Sequence, residues 1–131
     1  FYILDLLQKK LLLSTYVAHG RGSGDNYAVA FSNRPGSYQS SLGFFRTGDT
    51  YMGKNGYSLF LDGLEKGIND KARERAIVVH GANYADPAVL KGQQRLGRSL
   101  GCPALPPDIS KQVIDTIKGG VLLYIYGLNK A

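Results

Sequence analysis

The apolar residues of this chain come in short runs cut apart by glycine, and this limits the fold more than any other feature. Phe1–Leu6, Lys10–Ala18, Leu42–Tyr51, Tyr57–Leu61, Arg75–His80 and Val121–Tyr126 are rich in aliphatic, β-branched and aromatic residues, the composition that suits strands. Seventeen glycines punctuate the sequence. They make a loop of His19–Gly24 and a turn of Gly53–Gly56, and Asn33–Ser37 is a turn cluster. One stretch has a clear helical period: Ile109, Val113, Ile114 and Ile117 share a face, with Asp108 expected to cap it and Gly119 to stop it. Asn69–Glu74 predicts a short helical turn. So does Asp86–Gly92, with an N-cap, a proline at N1 and a closing glycine. The expected fold is mainly β, a sandwich or partly open barrel, with one C-terminal amphipathic helix packed on it.

With 131 residues, of which 44% are apolar and 20% charged, residues 1–131 read as one globular domain without repeats or linkers. No apolar run approaches the roughly 18 residues a membrane span needs. The chain opens on Phe1, not Met, which predicts that it is cut from a longer precursor. Any signal or anchor, and any membrane contact through it, would lie outside these residues. The net charge is +6 and the pI about 9.5. Lys and Arg are scattered without a block of five or six, so nucleic-acid binding is disfavoured. A mild positive field suits a carboxylate-bearing polymer, but solubility explains it equally well.

The chemistry is concentrated around one residue. Cys102 is the only cysteine, in the run Arg98-Ser99-Leu100-Gly101-Cys102-Pro103, and His80 ends an apolar run upstream. A single thiol excludes an internal disulfide, a redox CxxC pair and a cysteine metal cluster, and the two histidines lack companions at ligand spacing. A phosphate-transferring cysteine loop would want arginine at position 108, which is Asp108. What remains is nucleophilic catalysis. A thiolate attacks a carbonyl once an imidazole takes its proton, and backbone amides of a tight turn receive the oxyanion. Gly101 permits that turn and leaves the next amide uncovered. The plain alternative is a small buried cysteine in the core.

The pattern His80-Gly81, then after residues 81–98 Ser99-Leu100-Gly101-Cys102, resembles the signature of L,D-transpeptidase catalytic domains of the YkuD type. The run Gly97–Leu105, Gly-Arg-Ser-Leu-Gly-Cys-Pro-Ala-Leu, resembles the murein L,D-transpeptidase branch of that family. So do Ser41–Phe45, Gly56–Leu59, Leu61–Glu65 and Ala76–Ala82. The resemblance implies a YkuD-type fold and a periplasmic or extracytoplasmic enzyme acting on peptidoglycan stem peptides. It needs no cofactor or metal and is expected as a monomer. By resemblance, Cys102 is the nucleophile on an amide of diaminopimelate and forms a thioester acyl-enzyme that an amine of a second stem then resolves. His80 is the base, Gly101 with the amides around Cys102 the oxyanion hole, and Ser99 the residue whose carbonyl orients the imidazole. Two positions depart from the commoner pattern: Leu100 replaces a histidine and Ala104 an arginine.

Arg95 and Arg98 are candidates for substrate carboxylates and for the missing guanidinium. Tyr84, and with it Tyr51 and Tyr57, is a candidate groove residue, and His19 borders the glycine loop as a substrate contact. Their plain alternatives are a solvated loop face for the arginines and His19, and sheet packing for the tyrosines. The same Cys/His pair with water as acceptor would be an L,D-carboxypeptidase or endopeptidase. A catalytically idle cell-wall binding module is the rival from another class.

Overall fold

The computed structural model describes residues 1–129. It contains strands β1 (Tyr2–Asp5), β2 (Lys10–Ser14), β3 (Gly43–Gly53), β4 (Gly56–Gly63), β5 (Val78–Gly81), β6 (Ala104–Leu105) and β7 (Leu122–Ile125), with helix α1 (Pro107–Ile117) between β6 and β7. β1 and β2 form a separate hairpin. The other five make a curled sheet in the order β6-β5-β4-β3-β7. Among the described strands of this sheet the β5–β6 pair is parallel and the other pairs are antiparallel.

The long β3–β4 hairpin is the spine. Gly56 takes φ +81° at its turn, a conformation that costs glycine least. Phe45 and Thr47 on β3 and Leu59 and Leu61 on β4 are fully buried, as are Val79 on β5 and Leu105 on β6. Val113, Ile114 and Ile117 of α1 close the same core. Each such side chain withdrawn from water contributes about 1.5–3 kcal/mol. β3 bulges between Thr47 and Thr50, and Thr47 fastens the helix there. Its Oγ1 donates to the Ile117 carbonyl at 2.6 Å and accepts from the Val121 amide at 2.8 Å. Asn69, fully buried, donates to the Leu42 and Phe44 carbonyls at 2.9 Å and pins the β4–β5 connection to β3.

The mainly β architecture with its single C-terminal helix matches the sequence expectation. Asn69–Glu74 forms the expected helical turns. Three details differ. Pro106 occupies the N-cap of α1, and Asp108 sits in the first turn without a capping bond, where its charge meets the positive helix end instead. Gly119 ends the helix as expected, at φ +79°. The strand expected from Arg75 begins at Val78, because Ala76 takes φ +55° and closes a turn. The run Val121–Tyr126 is a strand only over Leu122–Ile125, at the sheet edge with Leu122 and Tyr124 exposed. The two-residue β6 is too short to leave any period in the sequence.

Candidate active site

β5 lies inside the sheet between β4 and β6, and its Val78, Val79 and His80 are all buried. Burial on both faces is why its sequence is an unbroken apolar run, with His80 as the exception. The His80 ring has a fixed partner: Nδ1 lies 2.9 Å from the Gly81 carbonyl. A carbonyl only accepts, so in the neutral ring Nδ1 carries the proton and Nε2 keeps its lone pair.

β6 delivers the thiol. His80 pairs with Ala104 in parallel register, and by that register Cys102 stands level with Val78. In the resting site Cys102 Sγ accepts from the Val78 amide and donates to the Ala76 carbonyl, both at 3.4 Å. The cysteine lies in the bend just before β6 and the histidine on β5, each with its own backbone partner. Catalytic hydrogen bonds are often long in free enzymes and tighten only when substrate binds.

The turn before Cys102 is shaped by Ser99, which is buried. Its Oγ donates to the Cys102 carbonyl at 2.5 Å and accepts from the Gly101 amide at 3.1 Å. Gly101 takes φ +126°. A Cβ there would stand 3.0 Å from the Gln39 carbonyl oxygen and 3.0 Å from Ile77 Cδ1, so both conformation and space demand glycine. The backbone partners in this turn are specific. The Gly101 amide is taken by Ser99 Oγ, while among the described residues the amides of Leu100 and Cys102 in the same turn have no acceptor. The Ser99 carbonyl accepts from the Arg21 amide at 2.8 Å, and the carbonyl facing the imidazole is that of Gly81.

The remaining candidates divide. Tyr84 packs against the buried Ala18, Ala85 and Ala104. Half-buried, it is pushed up to about 12 by burial and then by the Cys102 charge. His19 supports the turn through its backbone, its carbonyl accepting from the Ser99 amide at 2.9 Å, while its Nε2 lies 3.1 Å from the Gly24 carbonyl. Arg95 and Arg98 turn away to Asp25, at 2.6 Å and 3.7 Å. Tyr51 stacks on Phe60 at 4.4 Å between ring centres, and Tyr57 donates to Asp115 at 2.6 Å. Both are packing roles. Ala104 is fully buried beside Ala18 and Ala85, which leaves no room for the arginine the commoner pattern has there.

The residue missed in the sequence is Arg75. It stands just before β5, and its charge is one of those acting on Cys102. Burial pushes the Cys102 thiol up, opposed by the Val78 amide and by the Arg75 and Lys54 charges. Its partners lie in residues 32–41, too distant along the chain for any local pattern to reveal. Two surface cavities lie elsewhere. One of about 290 Å³ is bordered by Arg46, Asp49 and Arg73, and one of about 470 Å³ by Arg34, Lys66 and Lys71. The half-buried thiol is held between the turn Ser99–Cys102 and the start of β5, against Val78 and Ala76.

The segment 82–98 forms 3-10 turns at Asn83–Ala85 and Pro87–Lys91, the second capped by Asp86, whose side chain accepts from the Ala88 amide. The Gly97 amide closes it on the Tyr84 carbonyl at 2.8 Å.

A search among curated proteins finds no match to this chain. A family model described as L,D-transpeptidase catalytic domain matches residues 1–126. A nearly full-length match, on a mainly β fold with a cysteine turn beside a buried histidine, places the chain in the L,D-transpeptidase catalytic domain family, whose members carry out L,D-transpeptidase-type chemistry on peptidoglycan.

Proposed function

We propose that residues 1–131 act as one catalytic domain, a monomeric cysteine L,D-transpeptidase working on diaminopimelate-containing stem peptides. The reading rests chiefly on a half-buried thiol preceded by a positive-φ glycine, just before the strand that pairs with a buried histidine whose Nδ1 is already committed to a carbonyl. His80 Nε2 takes the thiol proton, and Cys102 Sγ adds to the donor carbonyl. The oxyanion forms at the Cys102 amide, which has no acceptor among the described residues in the resting site. The imidazolium returns its proton to the departing terminal amine, leaving a thioester. An amine of a second stem adds to that thioester, gives a proton to His80, and expels the thiolate as the new amide forms. The 82–98 segment, tied down at Tyr84 and Gly97, would limit water while the thioester waits.

Peptidoglycan lies outside the cytoplasmic membrane, so this reading carries an extracytoplasmic location with it. Among the described residues no helix is long and apolar enough to cross a membrane.

The test is incubation with a tetrapeptide-stem muropeptide, followed by intact mass of the protein and product analysis. Expected are an acyl adduct on Cys102 and cross-linked dimers. Tripeptides without dimers would make the protein an L,D-carboxypeptidase. A folded protein giving neither adduct nor product would leave a binding module. A carbapenem, with its strained amide, is expected to label Cys102 alone.

A further inference from the structure

Arg75 is half-buried and makes four hydrogen bonds, all to neutral acceptors on one segment. Nη1 donates to the Ser32 carbonyl at 2.9 Å and to Ser41 Oγ at 2.7 Å. Nη2 donates to Ser37 Oγ at 3.1 Å and to the Gln39 carbonyl at 2.8 Å. Among the described residues no ion pair includes it. A guanidinium held in this way keeps its whole charge in a partly desolvated place, where charge acts more strongly than in water.

That place is beside the thiol, reached from both sides. The Ala76 carbonyl, next in the chain after Arg75, accepts from Cys102 Sγ. Nη2 stands 3.5 Å from where a Cβ on Gly101 would lie, and Gly101 precedes Cys102. The Gln39 carbonyl that binds Nη2 is also the atom that crowds Gly101. The guanidinium thus fills the space between residues 32–41 and the cysteine turn.

We propose that Arg75 is a positioning residue of the Cys102 site: it fastens residues 32–41 behind the cysteine turn and supplies the uncompensated positive charge that favours the thiolate. This rests on Cys102 being the reactive thiol of the proposed function. Burial opposes ionisation of Cys102, and Arg75 heads the side-chain charges that counter it. The other titratable or charged groups around the thiol are Lys54, exposed on the β3–β4 turn, Tyr84, and His80 on β5.

The pH dependence of Cys102 modification by methyl methanethiosulfonate measures the thiolate directly, without peptidoglycan. In Arg75→Gln the profile is expected to move up by about one pH unit, with modification at neutral pH slowed about tenfold. In Arg75→Lys, which keeps the charge but cannot reach four acceptors, the profile stays near wild type while Tm falls. An unchanged profile in folded Arg75→Gln overturns the proposal. Should Arg75→Gln not fold, a full-unit rise in Arg75→Lys overturns it, and a wild-type profile with lowered Tm supports it. Transpeptidation by Cys102→Ala would sink the proposed function alone, without altering these profiles.

Discussion

Ser99 and Cys102 are tied to each other across a single turn, Ser99 Oγ donating to the Cys102 carbonyl at 2.5 Å while accepting from the amide of Gly101 between them. One hydroxyl thus fixes the direction of the peptide that follows the nucleophile and occupies the neighbouring donor. In the proposed mechanism the Cys102 amide, which has no acceptor among the described residues, receives the oxyanion.

Ser99→Ala should therefore weaken both fold and catalysis. Two backbone groups lose a partner in a buried place, at a cost of about 1–3 kcal/mol. Muropeptide turnover is expected to fall at least about tenfold as the amide loses its aim. Ser99→Thr keeps the hydroxyl and should retain most of both. Thermal melts and turnover of the two variants side by side are the check, and equal behaviour of alanine and threonine would remove the role given to Oγ.

Cys102→Ala should abolish turnover, by about four orders of magnitude or more, while costing only about 1 kcal/mol of stability. The thiol is at the margin of the core, with only two weak hydrogen bonds to lose. Residual wild-type activity in the folded variant would end the nucleophile assignment.

His80→Gln keeps a side chain of similar bulk in a buried position, and so separates chemistry from packing. Acyl-enzyme formation should slow by about a hundredfold or more, with a melting temperature close to wild type. Rapid acylation in this variant would assign the proton transfer to another group.

Alkaline pH should unfold the protein through Tyr84. Its phenol is raised from the ordinary 10.0 to about 12 in the fold, so between those values the folded chain holds a proton that the unfolded chain has released. Stability then declines as pH rises across that window. Tyr84→Phe removes this titration and should flatten the decline. Denaturant melts of both proteins at a series of pH values from 9 upward, spaced about half a unit apart, would show it. Parallel slopes would mean that Tyr84 is not the group responsible.

Much of the scaffold was legible because its signals are local. Glycines at Gly53 and Gly56 mark a hairpin whatever lies around them, and Ile109, Val113, Ile114 and Ile117 define a helical face on their own. The Cys102 and His80 residues were visible for the same reason: an isolated thiol after glycine and an imidazole ending an apolar run are features of a few adjacent letters. The family followed from such short runs, since each preserves a local geometry.

What only the tertiary structure decided depends on residues far apart in the chain. The parallel pairing of His80 with Ala104 sets the thiol beside the histidine strand, and a two-residue strand carries no period by which a sequence could announce it. Arg95 and Arg98 looked eligible as the charge at the thiol, but Asp25 claims them. The charge comes from Arg75, because residues 32–41 fold back to offer it four acceptors behind Gly101. A charge acts through space over a few ångströms, and which charges come that close is settled by packing alone.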